Sequence, residues 1–130
     1  MDVKVPHSLT RIPVKVYLED VGEFRGEFIR FHAPSTIREL LKLMPLEGFA
    51  AKWDYAVYFQ VNLKRGAEKI ISKISPGDIL YWPPGPYIVL AFRESLPPAQ
   101  IVKIGEMKEG VEEMFKIKHG SKIRITVAIE

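Results

Sequence analysis

Apolar residues occupy every second position through most of this chain, and the stretches that break this period mark its turns and helices. Ile12, Val14, Val16 and Leu18 alternate with Lys15, Tyr17 and Glu19, as side chains on opposite faces of a half-buried strand must. Asp20-Val21-Gly22 reads as the turn into a second strand over Glu23 to Phe31, with Phe24, Gly26 and Phe28 on one face. The period then changes. Ile37, Leu40, Leu41 and Met44 fall at i, i+3, i+4 and i+7, which predicts a helix over Pro34 to Met44, with Thr36 and Glu39 as a capping box and Pro45 as its stop.

Gly48 to Trp53 reads as a connection. Tyr55 to Leu63 alternates again, with Tyr55, Val57, Phe59, Val61 and Leu63 opposite Ala56, Tyr58, Gln60 and Asn62, so the pattern predicts a long strand. Arg65-Gly66 is a turn, and Glu68 to Ile74 is expected to pair as a short edge strand. Pro76-Gly77 opens a hairpin whose arms are Ile79 to Trp82 and Tyr87 to Phe92. Between the arms, Pro83-Pro84-Gly85-Pro86 cannot continue a ladder, because proline has no N–H to donate. Both sides of the second arm are apolar, so the pattern leaves open which side faces inward. Ser95 to Gln100 is a loop, Ile101 to Glu106 a strand, and Gly110 to Lys116 a short helix with Val111, Met114 and Phe115 on its buried face. Ile123, Ile125, Val127 and Ile129 alternate with Lys122, Arg124, Thr126 and Ala128 as a last strand. About eight short strands, two helices and no βαβ alternation predict a mainly β protein, an antiparallel barrel or sandwich, as one domain over residues 1–130.

Composition narrows the chemistry. The chain has no cysteine, which removes disulfides, thiolate nucleophiles and cysteine zinc sites. Its net charge of +3 and pI near 9.1 come from cations interspersed with nearly as many acids, an arrangement that argues against a nucleic-acid surface. No apolar run reaches the roughly 18 residues of a membrane span and no signal-peptide pattern opens the chain, so a cytoplasmic protein without a membrane partner is expected. Amides are confined to Gln60, Asn62 and Gln100, while Lys, Glu, Ile and Pro are plentiful, a bias that points to a thermophilic source. His7, His32 and His119 lack ligand-spaced partners, so no metal is expected, and nothing calls for a cofactor. Asp78 after Pro76-Gly77 fits turn chemistry, and Glu106, Glu109, Glu112 and Glu113 fit a solvated face.

The segment from Val102 to Ile117, with Gly105 and Gly110 at their spacing, resembles the late strand-to-helix segment of cyclophilins. The Gly77-Asp78 turn, the Trp82-Pro83-Pro84-Gly85 loop, Leu90-Ala91-Phe92 and Pro97 further resemble a small prokaryotic family of uncharacterised cyclophilin-like proteins. The resemblance implies a closed eight-stranded antiparallel β-barrel capped by two short helices. It also implies an outer-face pocket where cyclophilins seat a proline ring while an arginine hydrogen-bonds the prolyl nitrogen. Phe49 to Asn62 matches the stretch that carries that arginine; Tyr58 and Gln60 fit the pocket, but no arginine lies there and the following Gly-Gly-Asp is absent.

Strand alternation sends Tyr58 and Gln60 outward if Val57, Phe59 and Val61 point in. The expected ligand-binding residues are therefore Tyr58, Gln60, Trp82, Tyr87, Phe92 and Arg93, with Trp53 a further aromatic and Arg93 the available substitute for the missing arginine. The same aromatics also fit ordinary core and loop packing. The expected function is binding of a peptide or small molecule of unknown identity by a barrel that lacks the usual prolyl isomerase arginine. The alternatives are a divergent peptidyl-prolyl cis-trans isomerase, a weak nucleic-acid binder resting on pI alone, and a structural partner protein, such as a homodimer.

Overall fold

The computed structural model describes residues 10–128. In chain order the elements are β1 (Arg11–Leu18), β2 (Gly22–Ile29), a 3-10 turn (Arg30–His32), α1 (Pro34–Lys42), β3 (Leu46–Phe49), β4 (Ala51–Trp53), β5 (Ala56–Gln60), β6 (Asp78–Trp82), β7 (Tyr87–Ala91), β8 (Val102–Met107), a 3-10 helix (Val111–Lys116) and β9 (Lys122–Val127). They form one nine-stranded sheet in the order β3-β9-β1-β2-β8-β6-β7-β5-β4, and every pairing is antiparallel. Its two end strands, β3 and β4, are consecutive in the chain with Ala50 alone between them. The sheet's edges are therefore tied together covalently, and the sheet curls into a nearly closed barrel. The Ala50 N–H donates to the Ser121 carbonyl at 2.7 Å and the Gly120 N–H to the Ala50 carbonyl at 2.7 Å, pinning the corner.

The strand count corrects the sequence reading: there are nine strands, not eight. Gly48 to Trp53, read as a connection, supplies half of β3 and all of β4, pieces too short to show a period. At the seam, a Cβ on Gly48 would sit 2.8 Å from the Phe59 ring and 3.3 Å from the Gln60 carbonyl, so only glycine lets β3 lie this close to β5. Glu68 to Ile74 is not a strand and makes only the isolated bridges Ile70 to Val102 and Ile74 to Ser95. The strand expected to reach Leu63 ends at Gln60, although Val61 and Leu63 stay buried. The second helix is 3-10 rather than α, and of its three expected buried residues only Met114 is fully buried, Phe115 being 49% exposed. Ile129 lies outside the described residues, as does His7.

Ile37 and Leu40 of α1 and Met114 of the 3-10 helix join one core with Val16, Phe28, Phe59 and Ile125. Ile88 and Leu90 of β7 and Ile79 and Tyr81 of β6 point into that core, which settles the side left open by the sequence. The other side of these strands is buried as well. Leu80, Val89, Ala91 and Ala56 pack under Ile74 and Ile101 in a second, outer cluster. Tyr81, inside the barrel, donates its hydroxyl to the Leu63 carbonyl at 2.8 Å and accepts from the Arg65 N–H at 3.3 Å.

The helix start also differs from expectation. Pro34 occupies the first turn and Ala33 the cap position, with no side-chain cap bond, so Thr36 lies too far inside to cap. Its place is taken by Glu68 from the loop after β5, whose carboxylate accepts the Ser35 N–H at 3.2 Å, the Thr36 N–H at 2.6 Å and the Thr36 hydroxyl at 2.6 Å. Glu39 instead pairs with Lys42 at 3.3 Å. Burial pushes the Glu68 pKa up, but the Thr36 and Ser35 donors outweigh it and hold the carboxyl below its ordinary value.

Two outcomes are expected. Glu68→Gln should lower stability at pH 7 by roughly 0.5 to 1 kcal/mol, the lower part of the capping range because the group meets solvent. A folded pKa below the unfolded one means this stabilisation is full above the ordinary glutamate range and lost as pH falls through the lowered value; urea midpoints of the two proteins should converge in acid. Gly105→Ala should cost about 3 kcal/mol or more, because its Cβ would fall 2.1 Å from the Glu27 carbonyl oxygen across the β2–β8 pairing; soluble yield and denaturant midpoint report it.

Candidate functional site

On β5, β6 and β7 the side chains that do not enter the barrel end, toward one rim, in aromatic rings. Register places Gln60 opposite Tyr87, Tyr87 opposite Trp82, and Tyr58 opposite Val89; β4 lays Trp53 beside this face through its pairing with Ala56. The rings meet diagonally across the strands, where long side chains reach one another. Tyr58 and Tyr87 have centroids 4.6 Å apart, Trp53 and Tyr58 4.6 Å, and Trp82 stacks on Tyr87 at 5.7 Å. Trp53 also meets Trp82 edge-on at 5.7 Å. All four rings are half-buried. The Trp82 indole N–H donates to the Ala99 carbonyl at 2.9 Å, fixing the ring under the loop that covers the outer cluster.

Of the six residues expected from sequence, Tyr58, Trp82 and Tyr87 thus assemble into one ridge with Trp53. Gln60 lies at its margin, its side-chain amide donating to the Gly85 carbonyl at 3.3 Å. Phe92 is elsewhere. It follows Ile88 and Leu90 on the inward side of the strand, packs against the core, and faces Phe115 at 6.5 Å. Arg93 is also off the ridge: its guanidinium donates to the Asp54 carbonyl at 2.7 Å and lies 5.3 Å from the Phe92 ring centroid.

The rings fill the middle of the face by packing on one another, and open volume flanks them. A cavity of about 490 Å3 lies at the barrel seam between Leu43, Pro45, Leu46 and Glu47 on one side and Gln60, Val61, Asn62, Lys64 and Pro86 on the other. The peptide bonds Met44–Pro45 and Gly85–Pro86, whose prolines border it, are both cis. A second, of about 620 Å3, holds Arg93, Glu94, Lys52 and Asp54 beside Trp53 and Tyr55. Sequence reasoning missed the seam cavity. Its signal would have been Pro45 and Pro86, prolines at the ends of segments predicted to lie far apart in the chain.

The remaining charged cluster is structural in character. Lys103 reaches Glu106 at 2.7 Å and Asp78 at 3.2 Å; burial lowers its pKa, but these carboxylates outweigh burial and hold it above the ordinary lysine value. An amine kept protonated is no nucleophile. The Lys103 hydrogen bond in turn draws Glu106 below its usual range. Burial, followed by Lys103, lowers His32. Glu106 is therefore part of a bridged network rather than simply a solvated face. Asp78 does use turn chemistry, accepting the Ser75 N–H at 2.8 Å.

Removing the central ring tests the ridge as a packed unit. Tyr87→Ala should cost about 2 kcal/mol, from lost aromatic contacts and a partly solvent-filled gap, whereas Tyr87→Phe should stay within about 0.5 kcal/mol; urea unfolding followed by tryptophan fluorescence compares them.

Comparison with known proteins bears on this geometry. No curated protein matches the chain. Among solved structures, the solution structure of the hypothetical protein AF2241 from Archaeoglobus fulgidus superposes with a TM-score of 0.70 at 22% identity, covering 92% of this chain and 96% of that one. McbB, solved in complex with tryptophan, superposes with a TM-score of 0.67 at 13% identity over 90% of this chain and 45% of McbB. The family model described as cyclophilin-like matches residues 12–126, nearly the whole barrel from β1 into β9. The chain belongs to the cyclophilin-like family.

Proposed function

We propose that this protein binds a flat apolar or aromatic ligand, a peptide side chain or a small molecule, on the outer face of the barrel at Tyr58, Gln60, Trp82 and Tyr87. The observation that carries the reading is the ridge of four half-buried rings in mutual contact, Trp53, Tyr58, Tyr87 and Trp82, beside a cavity of about 490 Å3 bordered by Gln60 and Asn62. Rings ordered by packing on one another offer apolar area already in place, so a ligand stacking on them loses entropy mainly on its own side. Gln60 and Asn62 supply amide donors and acceptors to orient it. That McbB, a protein of like fold, was solved with tryptophan makes flat aromatic amino acids the first ligands to try.

Prolyl isomerisation fits these residues less well. A donor to the prolyl nitrogen lowers the amide rotation barrier of about 18–20 kcal/mol by removing resonance. Arg93, the arginine available for that role, already donates to the Asp54 carbonyl. The expected outcome is saturable quenching of Trp53 and Trp82 fluorescence by N-acetyl-tryptophanamide or an aromatic peptide, weakened tenfold or more in Tyr58→Ala, with no acceleration of isomerisation in a proline-peptide assay. Absence of saturable binding to either probe overturns the proposal. Acceleration that disappears in Arg93→Ala transfers the function to the isomerase alternative.

A further inference from the structure

Past the rim of the ridge, the Pro83-Pro84-Gly85-Pro86 loop faces the turn that follows β5. Between them lies a cavity of about 520 Å3 lined by Lys64, Arg65, Gly66, Pro83, Pro84, Gly85 and Pro86. We propose that this cavity binds an oxyanion, the carboxylate or phosphate of a small molecule, with Arg65 as the bidentate donor and Lys64 as the second charge.

Each charged residue in the lining is a cation. Among the described residues neither side chain enters an ion pair, whereas Arg11, Arg25, Arg124, Lys73, Lys103 and Lys116 each hold a carboxylate. Glu68, the acid nearest to Arg65 in sequence, bonds through its oxygens to the start of α1 and meets Arg65 only through longer-range attraction, which helps hold its carboxyl below the ordinary value. The Arg65 Nε is withdrawn from water and has no hydrogen-bond partner. That nitrogen is closed off from the cavity as well as from water, so an oxyanion would be met end-on by the two terminal guanidinium nitrogens, with two parallel bonds.

The guanidinium's base is fixed in advance. The Arg65 N–H donates to the Tyr81 hydroxyl at 3.3 Å, and that hydroxyl donates to the Leu63 carbonyl at 2.8 Å, so the turn is anchored to a fully buried ring inside the barrel. The opposite wall is mostly proline ring, which brings no acidic group to compete for the two cations. Lys64 also borders the seam cavity beside Gln60, so one ligand could place its anion here and its apolar part toward the ridge. The anion site itself does not depend on the ridge being a binding face.

The test is a titration of the full chain, followed by 1H–15N spectra, with inorganic phosphate and separately with acetate, against sodium chloride at matched ionic strength. Expected are saturable shifts of the Gly66 and Gly85 amides and of the Arg65 Nε–H with one or both oxyanions and not with chloride. Arg65→Gln should weaken binding at least tenfold, Arg65→Lys should not restore it, and Lys64→Gln should weaken it about threefold. Thermal midpoints establish that each variant is folded; should Arg65→Gln not fold, the wild-type Nε–H shift and Lys64→Gln carry the test. Linear, non-saturating shifts, equal shifts with chloride, or an unchanged affinity in folded Arg65→Gln overturn the proposal. Indole-3-acetate compared with indole-3-acetamide separates the two sites. Tighter acetate binding that is lost in Arg65→Gln joins them in one ligand, and saturable phosphate binding without any response of the ridge tryptophans leaves the anion site standing alone.

Discussion

The structure depends on one covalent constraint: the two strands at the ends of the sheet are neighbours in the chain, separated by Ala50. A sheet that twists through many strands does not bring its edges together unaided, and open edges are liabilities. Here the peptide bond does the joining, and it works only because both edge strands are short and because Gly48 has no side chain to hold β3 away from Phe59. Closure is tight at Gly48 and loosens toward Leu46, where the seam cavity lies. The opening at that rim follows from how the barrel closes rather than from a separate structure built around a ligand.

Closure also explains why β5, β6 and β7 are unlike the other strands. Their inner side chains fill the barrel, as any closed sheet requires, while their outer ones are roofed by the segments around Ile74 and Ile101. A strand buried on both faces has no solvent side, and apart from Gln60 and Asp78 at strand ends the residues of these three are apolar or aromatic. The aromatic ridge is the part of this outer layer that the roof covers only in part, touching it where the Trp82 indole N–H bonds the Ala99 carbonyl. Trp53, Tyr58, Trp82 and Tyr87 carry a polar tip or ring nitrogen with a large apolar body, and such residues tolerate a boundary between cover and water better than leucine or valine would.

These features were unevenly legible in the sequence. The strands with a polar face, β1 and β9, could be read residue by residue because alternation is a direct record of one-sided burial. The same logic sent Tyr58 outward correctly. It had nothing to say about β7, where both sides are apolar, and so Phe92 was grouped with Tyr87 although they point to opposite sides. β3 and β4 are not legible for another reason: strands of four and three residues show at most two full periods, and their identity comes from partners far away in the chain. The capping box at Thr36 and Glu39 had the right residues at the right spacing, but Pro34 set the helix start earlier and a carboxylate from a distant loop took the open N–H groups. Local rules described local structure; they did not show which distant group would arrive to compete.

The charges divide in the same way between structure and candidate chemistry. Lys103 with Asp78 and Glu106 forms a network whose members satisfy one another, and a satisfied lysine held in its protonated form has no free electron pair to offer. Arg93 is occupied by a backbone carbonyl. Lys64 and Arg65 enter no ion pair among the described residues: the neighbouring Glu68 bonds to α1 and feels Arg65 only at longer range, and the facing loop is mostly proline, which has neither a charge nor an N–H to bring. A folded chain leaves a buried donor without a partner only at a cost of a few kcal/mol, and no other described side chain carries that cost. Together with the ridge, this places an apolar surface and two cations that enter no ion pair among the described residues near one another on the outside of the barrel.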